Sequence, residues 1–499
     1  MTTDLLEHYL GDSARRRSAA ASAHSGAAGG APCGDLVRVS LELAGGRIEA
    51  ASFDAEGCAA SRAAAAAVAE LADGESVLDA ARVGRDEVAA ALGGLTSQGL
   101  HAADLAADAL HRALAAAAAS GEALAAPPAA GERTLVAMSG GVDSAVAALL
   151  ERERGAEVVA VTLKLWQDRR NDGERSCCSP EAVIGARAVA HSLAIPHLTL
   201  DLEETFRRAV VGEFVAGYRA GRTPNPCVIC NGEVRIAAMV ALADRLGAQR
   251  LATGHYARIV DDAAGPLLAP AADPAKDQSY MLAALDPEIV GRLRFPLAGL
   301  QKPEVREIAA RHGLAVARKP ESQDLCFLAG EGKRSFLRRH GGLGDREGAI
   351  VDRSGRRIGR HRGHHHFTVG QRRGIGLGGP QPLYVLATDA ARNEVTVGTR
   401  AELETSAVGL RDATLRRDAA AVDRVRLRYH APALGCRVEE QVPAGGHERL
   451  TLRLDEPFAG AAPGQTACLM AGEAIVGHAT IAASSPAARR SSPAARASS

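Results

Sequence analysis

Aromatic side chains are scarce, at 3% of 499 residues. Core packing must therefore lean on Leu, Val, Ile and the abundant Ala. A charge excess is missing as well: 59 Lys and Arg stand against 59 Asp and Glu. That excludes a chain-wide basic surface, so any nucleic-acid contact has to be a local patch. The alanine-rich runs at 63–69 and 115–119 are too short to span a membrane. The opening Met1-Thr-Thr-Asp-Leu-Leu-Glu lacks the basic-then-apolar pattern of a secretory signal. These absences point to a cytoplasmic protein with no membrane partner. Nine cysteines without regular spacing suggest reduced thiols that do chemistry or bind metal. The length has room for roughly three or four domains.

What is present is organised around Thr134-Leu-Val-Ala-Met-Ser-Gly-Gly-Val-Asp-Ser-Ala-Val-Ala-Ala-Leu150. A short apolar run reads as a buried strand, turns on Ser139, Gly140 and Gly141, and continues as a helix. The N–H groups at such a helix start favour a phosphate. Ser139 and Ser144 add hydroxyl donors, and Asp143 can orient a metal or a phosphate. No Gly-Lys-Ser/Thr follows, which excludes the common P-loop. Ser-Gly-Gly-Val-Asp-Ser at 139–144 resembles the pyrophosphatase loop of enzymes that split ATP into AMP and pyrophosphate.

Residues 1–115 form a separate unit. Val37 to Ile48 alternates around an Ala-Gly-Gly turn, and Ala59–Leu71 and Ala102–Ala118 read as Ala-rich helices. Cys33 and Cys58, with Asp35, give this unit a resemblance to the NifU/IscU-type iron–sulfur scaffold domain. Where that family has a third cysteine, this chain reads Gly99-Leu-His101-Ala102, so a full thiolate set is missing. Residues 116–133 read as a linker. Strand patterns at 134, 158–163 and 197–201, with helical segments between them, imply an open, mostly parallel sheet with ligands beyond the strands' carboxyl ends.

From 203 to 246 the pattern is helical, interrupted by Gly221-Arg-Thr-Pro-Asn-Pro-Cys-Val-Ile-Cys-Asn231. Pro224 and Pro226 stiffen this loop, and Cys227 and Cys230 have C-x-x-C spacing. Asn231 is a candidate N-cap, which would set Cys230 at a helix start and lower its pKa. A zinc site would need two further ligands. His364-His365-His366 reads as part of a solvated basic loop, since consecutive residues of an extended segment face opposite ways.

The loop at 139, Asn225-Pro-Cys-Val-Ile-Cys-Asn, Ala252-Thr-Gly-His-Tyr, Lys276-Asp-Gln-Ser-Tyr, Gln323-Asp-Leu-Cys-Phe and Gly370-Gln-Arg-Arg-Gly occur in that order. As a series they resemble the tRNA-specific 2-thiouridylase family over about residues 132–483. The resemblance implies transfer of AMP from ATP, with Mg2+, to the C2 oxygen of wobble uridine 34, followed by sulfur transfer to give 2-thiouridine. It places ATP on Ala137, Met138, Ser139, Gly140, Gly141, Val142, Asp143, Ser144, Leu163 and Gly254. It makes Cys230 the nucleophile and Cys326 the persulfide carrier, the two closing a disulfide as product leaves. It assigns base contacts to Asn225, Pro226 and Cys227. Further tRNA contacts fall on His255, Lys276, Asp277, Gln278, Arg428, Tyr429 and Gln465. A cysteine desulfurase or sulfur-relay protein is the implied sulfur donor. Many members carry aspartate where this chain has Cys227. The three thiols Cys227, Cys230 and Cys326 can therefore hold a [4Fe–4S] cluster with one open iron. Both the persulfide and the cluster versions stay open, as does a weak metal site at Cys33 and Cys58. Cys177 and Cys178, in the loop after a sheet strand, are given no part.

Beyond about 405, short alternating runs separated by Gly and Pro turns read as a small antiparallel β-barrel. On its strand Arg424, Arg426 and Arg428 share a face suited to phosphate. The expected organisation is a multidomain α/β chain. It comprises a NifU/IscU-like α+β domain (1–115), a linker (116–133) and an ATP-pyrophosphatase-type domain (134–300). A small central domain (301–405), a β-barrel (406–483) and a disordered tail (484–499) follow. An AMP-forming amidotransferase or ligase acting on a small molecule and an iron–sulfur carrier are the alternative functions; the first would have no need of the thiols.

Overall fold

A computed structural model describes residues 8–11, 23–30, 34–96, 99–168, 180–320, 325–328, 330–378 and 381–486. Cys33, Cys177, Cys178 and the 321–324 part of the Cys326 motif lie outside the described residues.

The amino-terminal unit pairs β1 (His24–Gly29), β2 (Leu36–Ala44) and β3 (Arg47–Glu56) as an antiparallel sheet in that order. Helices α1 (Ala59–Ala72) and α2 (Leu100–Ala119) cover it. The small side chains of these helices let backbones approach closely, which suits a chain poor in aromatics. Helix α2 runs on through the first residues of the expected linker. Beyond it Leu124 is fully buried, and its N–H donates to Arg245 O at 2.8 Å.

The second unit begins with β4 (Arg133–Ala137), every residue of which is buried, as befits a strand covered on both faces. In chain order follow α3 (Val142–Glu153), β5 (Glu157–Lys164), α4 (Pro180–Ser192), β6 (His197–Asp201), α5 (203–219) and α6 (Pro226–Arg245). Then come β7 (Arg250–Thr253), β8 (Arg258–Asp262), β9 (Gly265–Ala269) and β10 (Leu293–Arg294). The sheet is parallel throughout, with order β10-β7-β4-β5-β6. Helix α7 (Lys302–Arg311) packs on α3, and its Val305 and Ala309 share a core with Val142 and Val146. Helix α6 is long and apolar enough to cross a membrane, but half of that stretch is buried inside the protein.

The first unit is docked on the second. Helix α2 lies against β6, an edge strand, and the outward-facing His197 N–H donates to Ala81 O at 3.1 Å. His111, His191 and His197 meet at this junction, with ring centres 5.5 and 6.4 Å from His111, and Arg187 pairs with Asp108 at 3.3 Å. Desolvation pushes the His111 and His197 rings well below the usual histidine range.

Helix α8 (Lys333–Gly341) leads into a four-stranded sheet of β11 (Gly348–Val351), β12 (Arg357–His361), β13 (Tyr384–Asp389) and β14 (Glu394–Gly398), in the order β12-β11-β14-β13. The last unit contains β15 (Glu404–Leu415), β16 (Arg424–Arg426), β17 (Leu434–Val438), β18 (Gly445–Ala459), β19 (Thr466–Ala471) and β20 (Ala474–Pro486). A β15–β20 pairing closes these six strands into an antiparallel barrel, and the β8–β9 hairpin joins β20 from outside. Strand β20 runs through 484–486, a stretch whose composition predicts disorder; 487–499 lie outside the described residues.

Candidate active site

At the end of β4 the backbone passes Met138 and turns through Gly140, whose φ of +70° is the left-handed region that suits glycine. Ser139 N donates to Ser144 Oγ at 3.1 Å, and Ser144 Oγ donates to Gly141 O at 3.0 Å. The loop is thereby tied to the first turn of α3. Gly254, just past β7, lies against that turn; a Cβ on it would come 2.7 Å from Ser144 N. With Leu163 on β5, the ten residues expected at the nucleotide gather at the carboxyl ends of β4, β5 and β7. Three side chains there escaped the sequence reading. Lys302 Nζ donates to both Asp143 oxygens at 2.6 and 2.7 Å, Tyr256 OH donates to Asp143 Oδ1 at 2.9 Å, and Lys319 Nζ donates to Gly140 O at 2.9 Å. A cavity of about 680 Å³ lined by Glu151, Arg154 and Arg294 sits at the other end of α3, away from this loop.

Asn225, and not Asn231, caps α6: its Oδ1 accepts from Val228 N at 3.4 Å, and Pro226 follows in the first turn. Cys227 therefore lies in the first turn. Cys230 lies deeper in the helix, only 7% exposed, at the start of a π-turn spanning Cys230–Arg235. The expected helix-start setting for Cys230 is thus overturned. Asn231 is buried and donates to Met281 O at 3.2 Å. Burial pushes the Cys227 thiol up, and the Arg235 guanidinium opposes it. His255 is driven down to about 3 by burial first and by Arg235 second, so it is neutral at physiological pH. Its Nδ1 lies 2.9 Å from Thr253 Oγ1. Arg235 stands near both groups; its only trace in the sequence is the helical spacing 227, 231, 235.

Cys230 is buried in, and Cys326 packs against, the same contiguous apolar core. Beside Cys326, the Phe327 ring sits 5.9, 5.0 and 5.1 Å from Phe206, Phe214 and Phe336. Among the described residues no cysteine is disulfide-bonded, and the sulfurs of Cys227, Cys230 and Cys326 do not all three lie within 4.8 Å of one another. Asp168, Glu331 and His340 do draw together. Arg339 binds both carboxylates there, meeting Asp168 Oδ1 at 2.8 Å. That pairing fastens the segment after Cys326 to the loop after β5.

The loop before α6 is clamped by two other units. Thr223 N donates to Pro463 O at 2.8 Å, and Gln465 Nε2 donates to Thr223 O and Pro224 O at 2.9 and 3.2 Å. Thr388 Oγ1 donates to Gly221 O at 2.6 Å, and Thr223 Oγ1 to Thr368 Oγ1 at 3.2 Å. Tyr429 is close enough to Cys227 for the thiol's charge to raise its phenol, after burial and Asp277. Its ring is 6.0 Å from that of Tyr280, whose OH donates to Thr466 O at 2.8 Å.

Other residues expected at the tRNA, Asp277 and Gln278, have partners within the fold. Asp277 is buried and paired with Arg426 at 2.5 Å, and it accepts from Ser279 Oγ at 2.9 Å. That removes Arg426 from the expected phosphate stripe of 424, 426 and 428, while Arg424 and Arg428 are exposed. Gln278 Oε1 accepts from Tyr256 N at 3.1 Å, and Lys276 is half-buried in the adjoining turn. His364 and His365 are buried in a short 3₁₀ turn, not in a solvated loop. His364 bridges Asn393 Oδ1 and Arg219 O, each at 3.1 Å, and so ties the central sheet to α5.

In the amino-terminal unit Cys58 caps α1, accepting from Ser61 N at 3.4 Å, and its exposed thiol donates to Asp35 Oδ2 at 3.3 Å. Ser61 and the Cys58 backbone hold the Asp35 carboxyl below its usual range, with a smaller contribution from His101.

Residues 132–330 match a family model described as tRNA methyl transferase HUP domain, and 2–120 match NifU-like N terminal domain. Residues 334–399 match tRNA methyl transferase PRC-barrel domain, and 414–481 match Aminomethyltransferase beta-barrel domain. The chain is similar to the bifunctional protein NifU/MnmA of Rubrobacter xylanophilus, 47% identical over 92% of this chain and 93% of that one. It is 44% identical to the tRNA-specific 2-thiouridylase MnmA of Acidithiobacillus ferrooxidans, over 69% of this chain and 97% of the relative. The same enzyme of Chloroflexus aurantiacus is 44% identical over 70% and 98%.

Proposed function

This chain belongs to the tRNA-specific 2-thiouridylase family, in the form that carries a NifU-like domain ahead of it, and we propose on that premise that it is a tRNA-uridine 2-sulfurtransferase acting on wobble uridine 34. The observation that carries the reading is the line from Ser144 through Gly254, His255 and Arg235 to Cys227. It joins the nucleotide loop to the cysteine-bearing helix.

The C2 oxygen of uridine is a poor leaving group. The α-phosphate of ATP, held over Ser139–Ser144, accepts that oxygen and pyrophosphate departs onto the turn at the start of α3. Lys302 and Lys319 supply positive charge at this loop, with Mg2+ accompanying the nucleotide. A neutral His255 leaves Arg235 as the cation beside the thiols. In the persulfide version the outer sulfur carried on Cys326 attacks C2, the C2–O bond breaks and AMP leaves. The Cys230 sulfur then attacks the Cys326 sulfur, the persulfide S–S bond breaks, 2-thiouridine is released, and a Cys230–Cys326 disulfide remains for a thiol reductant. A cysteine desulfurase or relay protein recharges Cys326. The three thiols of Cys227, Cys230 and Cys326 also suit a [4Fe–4S] cluster, which would supply a site for an extra sulfide.

The test is anaerobic purification with iron and sulfide analysis, followed by ATP-dependent thiolation of tRNA. C230S and C326S should each lose activity by at least about 10³-fold. Full activity in C230S would refute sulfur transfer at this site. Full activity in C227S would refute the cluster version and leave the persulfide one.

A further inference from the structure

Residues 333–373 hold twelve Lys and Arg against three Asp and Glu, in a chain whose charges cancel as a whole. Four of the twelve lie on the β11–β12 hairpin, where Arg353, Arg356, Arg357 and Arg360 are all exposed and β12 is a sheet edge. The three acids are heavily shared. Asp345 serves Arg334 and Arg362, Glu347 serves Arg357 and Arg360, and Asp352 serves Arg356. Arg338, Arg346, Arg353, Arg372 and Arg373 are exposed and make no ion pair among the described residues.

Charges on an edge strand commonly guard against unwanted strand pairing. That role does not explain why the positive charge continues off the strand. Arg372 and Arg373 follow Gly370, whose N–H donates to Val385 O of β13 at 2.8 Å and which lies within van der Waals reach of Arg428. The β13 edge is in turn bonded to the reactive loop through Thr388 and Gly221. Three strand spacings put β12 about 14 Å from β13. Arg428, beside Tyr429, and the turn at 372–373 thus lie on the β13 side of this sheet, and the basic hairpin forms its other edge.

We infer that the β11–β12 hairpin and the 372–373 turn form a phosphate-gripping surface for the tRNA backbone away from the reacting base. The inference rests on the tRNA reading above. Guanidinium groups suit phosphate because their planar N–H forks bind two oxygens together. The wobble base identifies a target; this track supplies affinity that is indifferent to sequence and sensitive to salt.

The test compares the full-length protein with R353Q/R356Q/R357Q/R360Q and with the four matching lysine substitutions, using full-length tRNA. The glutamine variant should raise KM for tRNA roughly tenfold or more at physiological salt with kcat unchanged. Its slope of log Kd against log salt should fall by about one for each phosphate that is no longer neutralised. The lysine variant should retain most of the slope. An unchanged KM and slope in the glutamine variant, beside a wild type that thiolates tRNA, overturns this inference alone. Equal losses in the lysine and glutamine variants overturn it too, since shape and not charge would then be at stake. A wild type that neither binds nor thiolates tRNA overturns the functional reading as well.

Discussion

Lys302 lies 159 positions beyond Asp143 in the chain, yet its ammonium reaches both oxygens of that carboxylate. The lysine is almost wholly buried, whereas the Asp143 side chain is 31% exposed. Removing one member leaves the other's charge poorly solvated. K302M and D143N should each destabilise the protein by about 1–3 kcal/mol in urea titrations, and the double variant by less than the sum. K302M should also slow tRNA-dependent pyrophosphate release by about 10²-fold.

Gly254 admits no side chain. In G254A the methyl would meet the Ser144 and Asp143 backbone at 2.7–2.8 Å, so β7 or the nucleotide loop must shift. Overpacking of this kind costs about 1–3 kcal/mol. Calorimetry with ATP should show binding weakened by more than tenfold, as about 1.4 kcal/mol corresponds to a factor of ten.

Arg235 is the cation shared by Cys227 and His255. R235M removes the group that opposes the upward shift of the Cys227 thiol and the group that helps depress His255. Alkylation of Cys227, followed by mass spectrometry against pH, should move to higher pH in R235M. An unchanged profile would separate Arg235 from the thiol.

His111 and His197 are buried and neutral in the folded protein, with pKa values well below that of the unfolded chain. Above about pH 6.5 both states leave these rings neutral and their contribution is complete. Below it the unfolded chain binds protons that the folded one refuses, so stability falls as pH drops toward the folded values. The slope is about 1.4 kcal/mol per pH unit for each ring. Urea midpoints measured from pH 7.5 to 5 should show it, and H111Q should flatten it by one ring's share.

Much of the α/β architecture is legible locally. The apolar run at 134, the glycine turn and the strand at 158–163 each carry their own signal, and the parallel sheet follows from their alternation. The hairpin at 258–269 and the closing strand at 474–486 are different, because their places depend on a barrel partner remote in the chain. The helix cap misleads for a local reason. Asn225 and Asn231 both flank the C-x-x-C, and Pro226 at the first helical position is the cue that selects the former. Lys302, Lys319 and Arg235 give no pattern of their own, since what makes them matter is whom they meet across the fold. His364 misleads by composition: three histidines among arginines look solvated, but Asn393 and Arg219 O supply a buried histidine's two partners.

The seam between α2 and β6 bears on how the protein can be divided. Cutting the chain near residue 130 would bare an unpaired strand edge on one fragment and an alanine-lined helix face on the other. Each is a sticky surface that its own half has no means to cover. The two units are therefore joined by more than a tether: expressed apart, the halves should clump, and expressed together from separate messages they should find each other and co-purify.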